Sequence, residues 1–225
     1  MSDRKAKDEL YGGFAAVAKA LANGHRAEVV DVLAQGERHV EEIAAEIGQS
    51  VANTSFHLRA LAVAGLVTTR PAGNRVYYRL ASDRVLTLWE AVREVATAHH
   101  DELDHLAAAY LGDRDGIDEI TRDELAARLE AGDVIVLDVR PAAEFAAGHV
   151  AGARSVPLEA LSEHLETLPD DLEVVAYCRG PFCVYADDAV RLLNRRPRRS
   201  PARRLADGFP EWRRAGLPVE EGLPA

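Results

Sequence analysis

The chain has 225 residues, enough for one large domain or two small ones. Hydrophobic residues make up 48% and charged residues 28%, an ordinary globular mixture that excludes wholesale disorder. The net charge of −10 excludes a uniformly basic nucleic-acid binder but leaves room for a local basic patch. No apolar run approaches the ~20 residues of a membrane span, and the polar start Met1-Ser2-Asp3-Arg4-Lys5-Ala6-Lys7 lacks the apolar core of a signal peptide. Two cysteines, Cys178 and Cys183, are too few for a secreted disulfide scaffold. These features predict a soluble, cytoplasmic chain with no membrane partner.

The first half reads as mostly helical. Apolar positions at helical spacing predict helices over about 8–21 and 25–34, separated by Asn23-Gly24. A short helix follows near 40–47 and stops at Gly48. Ser50 is a good N-cap for a helix over about 51–64, ended by Gly65. In that helix Val51, Thr54, Leu58, Leu61 and Gly65 are expected to face the core. Two strand-like runs, 66–70 and 75–80, flank the turn Pro71-Ala72-Gly73-Asn74. One long helix over about 83–111 closes this half. Its apolar stripe from Val85 to Tyr110 suits packing against another helix or a partner subunit.

Short helix, turn, second helix and hairpin make a winged helix-turn-helix in outline. The exposed face of the second helix then carries Ala52, Asn53, Ser55, Phe56 and Arg59. Small and amide side chains let a helix enter a major groove. There Asn53 can read adenine and Phe56 can touch a thymine methyl, with Arg59 reaching phosphate. Between Glu46 and Asp83 there is no acid but four arginines, Arg59, Arg70, Arg75 and Arg79. Arg70 and Arg75 flank the hairpin turn, where a wing straddles the duplex. A polyanion is the expected partner of such a window in an acidic chain. The competing reading is a small helical domain with a solvated basic face.

Residues from about 14 to 106 resemble the ArsR/SmtB family of winged-helix regulators. Glu41-Glu42-Ile43-Ala44-Ala45-Glu46-Ile47-Gly48, Ser55-Phe56-His57-Leu58-Arg59-Ala60-Leu61 and Ala64-Gly65-Leu66-Val67 carry the resemblance, with Arg75-Val76-Tyr77-Tyr78-Arg79-Leu80. It implies a homodimer paired through the first and last helices on a palindromic, double-stranded operator. Family members that sense metals through cysteines differ here, since this half has no cysteine. His99, His100 and His105, with Asp101, Glu102 and Asp104, offer ligand types without the family's ligand spacing, and read as a solvated polar patch. No metal and no cofactor is expected.

The polar, glycine-flanked segment Leu111-Gly112-Asp113-Arg114-Asp115-Gly116 marks the expected change of grammar. Residues 1–111 are expected to form a DNA-binding and dimerisation domain, 112–116 a linker, and 117–225 a second domain. In that second domain apolar runs at 134–137 and 174–177 read as buried parallel strands. Helices are expected over 121–130, 158–166 and 184–193, which implies an α/β sheet with helices on both faces. The segment Asn194-Arg195-Arg196-Pro197-Arg198-Arg199-Ser200-Pro201-Ala202-Arg203-Arg204 holds six arginines and two prolines, and is expected to be an exposed, irregular loop.

The sharpest chemical feature is Tyr177-Cys178-Arg179-Gly180-Pro181-Phe182-Cys183-Val184. A buried strand ends at Cys178, and a six-residue loop leads into a helix. Backbone N–H groups, the positive helix end and Arg179 there all favour thiolate, the nucleophilic form. Taken alone, a strand-end cysteine is more often a buried structural residue. Residues about 117–219 resemble a single rhodanese domain. The carrying motifs are Val136-Leu137-Asp138-Val139-Arg140-Pro141, Glu144-Phe145-Ala146-Ala147-Gly148-His149-Val150-Ala151-Gly152-Ala153, the cysteine loop, and Asp207-Gly208-Phe209-Pro210-Glu211-Trp212-Arg213-Arg214-Ala215-Gly216-Leu217-Pro218-Val219. The resemblance implies a doubly wound parallel sheet with Cys178 carrying sulfur. Asp138, Arg140 and Glu144 read as framework charges and His149 as a turn residue. Many rhodaneses end this loop in a basic residue; here Cys183 stands there, five residues from Cys178, as a candidate resolving thiol beside an equal reading as a helix-start core residue.

The expected whole is a mainly-α winged helix-turn-helix followed by an α/β rhodanese-like domain. The expected function is a DNA-binding transcriptional regulator that accepts or senses sulfane sulfur, or an oxidant, at Cys178. Its expected partners are operator DNA, a second copy of itself, and a small sulfur donor or acceptor such as thiosulfate, polysulfide or persulfide. Two alternatives stay open: a rhodanese-type sulfurtransferase with autoregulatory DNA binding, and a protein-binding module with an incidental cysteine.

Overall fold

The computed structural model describes residues 3–169, 171–195 and 200–222. The chain divides into two compact units, Met1–His99 and His100–Ala225. No described helix is long and apolar enough to cross a membrane.

The first unit runs α1 (Arg4–Leu21), α2 (Gly24–Ala34), β1 (Arg38–His39), α3 (Val40–Glu46), α4 (Val51–Val63), β2 (Val67–Ala72), β3 (Arg75–Leu80) and α5 (Asp83–His99). Local chemistry sets each boundary. Asn23 caps α2 through its side-chain oxygen, and Ser50 Oγ accepts the Asn53 amide at 3.2 Å to start α4. Glu42 reaches back to the His39 amide at 3.0 Å at the start of α3. Gly65, at φ +73°, ends α4 in a conformation that L side chains resist. Val29, Val30, Leu33, Ile43, Leu58, Leu61 and Val67 meet in one core. β2 and β3 form the hairpin, with β1 on the outer side of β3.

Three expectations change. Pro71 and Ala72 belong to strand β2, paired with Val76 and Arg75, so the turn is only Gly73-Asn74. Proline is tolerated there because β2 is an edge strand. Val51 and Gly65 are exposed rather than core, while His57 is buried beside Thr54, Leu58 and Leu61. The long closing helix is two helices, α5 and α6 (Asp101–Leu111), separated by the extended residue His100. The stripe therefore splits. Val85 is core, but Leu88, Val92 and Val95 of α5 are exposed, as are Leu10, Tyr11 and Phe14 of α1.

The second unit continues with β4 (Glu119–Ile120), α7 (Arg122–Ala131), β5 (Val134–Asp138), α8 (Ala142–Ala147), β6 (His149–Val150), β7 (Arg154–Ser155), α9 (Leu161–His164, flanked by short 3-10 turns), β8 (Glu173–Tyr177), α10 (Tyr185–Leu193), β9 (Arg203–Leu205), α11 (Phe209–Arg214) and β10 (Val219–Glu220). Five strands lie parallel in the order β4-β9-β8-β5-β7. Side chains alternate across the sheet. Ile135, Leu137, Val174 and Ala176 pack with α9 and α10 residues, whereas Val134, Val136, Val175 and Tyr177 pack with Leu125, Phe209 and Trp212. Helices therefore cover both faces of a doubly wound parallel sheet. Neighbouring β5 and β8 carry the chain to opposite sides of the sheet, and their carboxyl ends form the crevice where such folds place their chemistry.

Part of the arginine-rich segment is not a loop. Arg203 and Arg204 form β9, an interior strand. Acids make this tenable: Arg204, 1% exposed, meets Glu119 at 2.9 Å and Asp187 at 3.3 Å. Arg203 meets Glu124 at 2.8 Å and Glu173 at 3.4 Å. A buried charge is expensive only when it is left unpaired. Arg196, Pro197, Arg198 and Arg199 lie outside the described residues.

Asp138 and Arg140 are both fully buried and ion-paired, with Nε donating at 2.9 Å. The Tyr177 hydroxyl donates to Asp138 at 2.6 Å, and Arg140 donates to the Gly148 carbonyl at 2.8 Å. Removing the carboxylate leaves a buried cation. Asp138→Ala is therefore expected to destabilise the second unit by about 3–5 kcal/mol. Urea unfolding of the full chain in a Trp89→Phe background, where Trp212 alone reports, measures this; a loss under about 1 kcal/mol would contradict it.

Candidate functional site

The winged unit presents α4 and the hairpin to solvent. Ala52, Asn53, Phe56 and Arg59 are exposed and Ser55 is half-buried. Phe56 is 61% exposed on the same helix. The Asn53 amide donates to Gln49 Oε1 at 3.2 Å, which holds it in one orientation at the start of α4. Arg70 does not fit the expected free basic wing. Both oxygens of Glu37, from outside the acid-free window, bind its guanidinium at 3.1–3.2 Å through Nε. Its charge is spent within the fold, whereas Arg75 is exposed at the hairpin tip. His57 escaped notice in the sequence. It is buried in α4 with its ring 5.6 Å from His25, and burial pushes its pKa down.

The second candidate site begins where β8 ends. Cys178 is 1% exposed, and its carbonyl accepts the Phe209 amide at 3.1 Å. Gly180, at φ +155°, turns the loop, and the Cys183 amide donates to the Gly180 carbonyl at 3.1 Å. Behind the loop sits Gly208. A Cβ there would lie 2.4 Å from the Arg179 carbonyl carbon and the Gly180 nitrogen. Only glycine lets α11 approach so closely, which is the physical content of the Asp207-Gly208-Phe209-Pro210 motif.

The Cys178 thiol donates to the Cys183 carbonyl oxygen at 3.6 Å and lies 3.9 Å from the Gly180 carbonyl oxygen. The two thiols are shifted in opposite directions. Burial pushes the Cys178 thiol well up. The hydrogen bond from Cys178 pulls Cys183 down to about 7, helped by the backbone groups of Arg179 and Tyr185. Backbone groups of Gly180 and Ala186 favour the Cys178 anion. Cys183 is the half-buried member of the pair and Cys178 the buried one. Such a pair titrates as a unit.

Arg179 plays a smaller part than its position suggests. Glu144, fully buried as a side chain, takes its Nε through both oxygens at 3.1 Å, and the guanidinium lies 5.4 Å from the Tyr185 ring centroid. It is a minor contributor to the Cys183 shift. The trio read as framework is framework: Asp138 and Arg140 brace the strand ends, and Glu144 anchors the cysteine loop. His149 is likewise buried, stacked 3.5 Å from Phe145 with Nδ1 2.8 Å from its carbonyl. Two residues that the sequence reading passed over reach the loop region. Arg114 contacts the Pro181 carbonyl at 2.9 Å, and Asp187 sits fully buried on α10. Among the described residues no group of three or more His, Cys, Asp or Glu side chains is arranged to hold a metal ion.

Comparison with known proteins accounts for both halves. Residues 23–69 match the model of the bacterial regulatory protein, arsR family, and residues 121–215 match the rhodanese-like domain. The HTH-type transcriptional regulator Rv0324 of Mycobacterium tuberculosis is 48% identical over 99% of this chain and 96% of its own length. A protein named sulfurtransferase from Allochromatium vinosum is 31% identical over 46% of this chain and 94% of its own. Among solved structures, the homodimeric winged helix-turn-helix DNA-binding domain (fragment 1–100) of a Mycobacterium bovis protein is 46% identical, covering 45% of this chain and 93% of that one, with a TM-score of 0.41. The chain belongs to the arsR family of bacterial transcriptional regulators, in the form that carries a rhodanese-like domain after the winged helix-turn-helix.

Proposed function

We propose that this regulator acts in the cytoplasm as a homodimer on double-stranded operator DNA, and that its rhodanese-like domain accepts sulfane sulfur from a small donor at Cys178. Residues 1–111 serve DNA binding and dimerisation, 112–116 the junction, and 117–225 the sulfur chemistry. The exposed apolar faces of α1 and α5 support the dimer. Ala52, Asn53, Ser55, Phe56 and Arg59 face the groove and Arg75 the backbone, with Arg70 in reserve behind Glu37.

The observation that carries the sulfur reading is the presence of two free cysteines in one loop, with the Cys178 thiol 3.6 Å from the Cys183 carbonyl oxygen. When a polysulfide reaches the loop, the Cys178 proton passes to the Cys183 thiolate. The Cys178 thiolate then attacks a terminal sulfur of the donor, leaving a Cys178 persulfide and a polysulfide one sulfur shorter. Cys183 then loses its proton to water and attacks the Cys178 sulfur. A Cys178–Cys183 disulfide forms and hydrosulfide leaves. Because Cys183 replaces the basic residue that elsewhere helps hold anionic donors, polysulfide or a persulfide suits this site better than thiosulfate. The likeness to a sulfurtransferase spans only 46% of the chain, while the likeness to a regulator spans 99%. Sulfur transfer is thus read as the input to regulation.

Mass spectrometry of the full chain after disodium tetrasulfide tests this chemistry. The native chain is expected to lose two hydrogens across the peptide holding both cysteines, and Cys183→Ser to stop at a persulfide on Cys178. Both sulfurs unmodified, or a persulfide on Cys183 in Cys178→Ser equal in yield to that on Cys178, would overturn the assignment. On the DNA side, Arg75→Ala is expected to weaken binding to all duplexes and lower the salt slope by about one. Arg70→Ala should change the slope by less, because Glu37 already neutralises it. Fluorescence anisotropy at several salt concentrations measures both; equal slopes for Arg70→Ala and Arg75→Ala would contradict the placement.

A further inference from the structure

Within the second unit, the segment 112–116, proposed above as the junction, is fastened to the cysteine loop itself. Arg114 Nε donates to the Asp187 carboxylate at 2.7 Å, and its Nη2 donates to the Pro181 carbonyl at 2.9 Å. Pro181 lies inside the cysteine loop, between the two thiols. Asp187 is fully buried on α10, the helix that the loop feeds, and its other oxygen lies 3.3 Å from Arg204 of β9. The neighbouring residues hold the segment in place. The Asp113 carbonyl accepts from Arg191 of α10, Asp113 Oδ1 accepts the Asp115 amide at 2.7 Å, and the Arg114 carbonyl accepts the Ile117 amide at 3.1 Å.

We propose that Arg114 is a positioning residue of the sulfur site: its guanidinium forks between Asp187 and the Pro181 carbonyl, and so ties the state of the cysteine loop to the segment 112–116 through which the chain passes to the DNA-binding half. The proposal rests on the reading of Cys178 and Cys183 as the responsive pair. Closing a disulfide brings the two sulfurs to about 2.05 Å with a dihedral near 90°. The four residues between them must then re-route, and the Pro181 carbonyl moves with them. A hydrogen bond of 2.9 Å stops being one beyond about 3.5 Å, so a shift well under one ångström releases this arm of the fork. The remaining arm holds Asp187 but no longer fixes the loop relative to the segment. Coupling of this kind is reciprocal: because the fork grips the Pro181 carbonyl inside the loop, it also opposes closure of the loop. The geometry needs arginine. A lysine ammonium keeps the charge beside Asp187 but lacks the planar fork that reaches both acceptors.

The test uses the full chain, oxidised in separate arms by diamide, which closes a dithiol without any sulfur donor, and by disodium tetrasulfide. Amide hydrogen exchange in the peptide covering 112–117 is expected to rise at least tenfold when the native loop closes under diamide. Arg114→Lys is expected to exchange fast already as the dithiol, with less than a twofold further change. In a glutathione redox buffer the same variant should favour the disulfide at least threefold over the native chain. Arg191→Ala, which loosens the segment without touching the loop, should raise exchange but leave the glutathione equilibrium unchanged. Native exchange that ignores closure, an Arg114→Lys variant indistinguishable from native, or an equal equilibrium shift in Arg191→Ala would each overturn the proposal. If diamide gives the expected coupling while tetrasulfide leaves both thiols untouched, the fork stands and the sulfur-donor reading alone falls.

Discussion

One buried guanidinium organises the rhodanese-like domain. Arg140 lies fully buried at the carboxyl end of β5, where desolvation alone would expel it. Asp138 neutralises it, the Gly148 carbonyl accepts from it, and its carbon sits 4.4 Å from the Phe209 ring centroid. The Tyr177 hydroxyl completes the Asp138 shell and in turn accepts the Val150 amide at 3.1 Å. Burial pushes the Tyr177 pKa well up, so its hydroxyl stays a donor. These contacts fix β5, β8, β6 and the start of α11 relative to one another. Cys178 begins one residue after Tyr177, and its carbonyl is held by the Phe209 amide. The cysteine loop inherits its position from this cluster, and Gly208 lets α11 close against it.

The two halves use charge in opposite ways. In the sulfur domain nearly every interior charge has a named counter-charge: Arg140 with Asp138, Arg179 with Glu144, Arg204 with Asp187 and Glu119. The winged unit keeps Arg59 and Arg75 exposed on its surface, while Arg70 is ion-paired with Glu37. A thiolate in the loop is therefore stabilised mainly by a neighbouring thiol and backbone groups rather than by a free cation. Such a site discriminates by shape and by proton position more than by long-range attraction.

Much of this was legible in the residues. Caps and breakers such as Ser50, Gly48 and Gly65 placed the helices of the winged unit to within a few residues, and period-two apolar runs placed β5 and β8. Local signals failed where tertiary pairing decided the outcome. Arg203 and Arg204 read as loop because strand propensity cannot see Glu119, Glu124 and Asp187 arriving from distant elements. His100 broke a helix that its flanking periodicity joined. Arg70 read as free because Glu37 lies 33 residues away. At the loop, the burial of Cys178 and its contact with the Cys183 carbonyl exist only once the chain is folded. Arg114 carried no motif; its role comes from where the loop and α10 meet it.

Sulfur chemistry at the two cysteines is proposed to change how the winged unit holds DNA. The most direct measurement titrates the full chain against a fluorescent duplex from the region upstream of its own gene, before and after disodium tetrasulfide and again after dithiothreitol. An affinity change of at least fivefold is expected, reversed by dithiothreitol and abolished by Cys178→Ser. Identical affinities in all three states, with the two-hydrogen loss confirmed on the same sample, would contradict it.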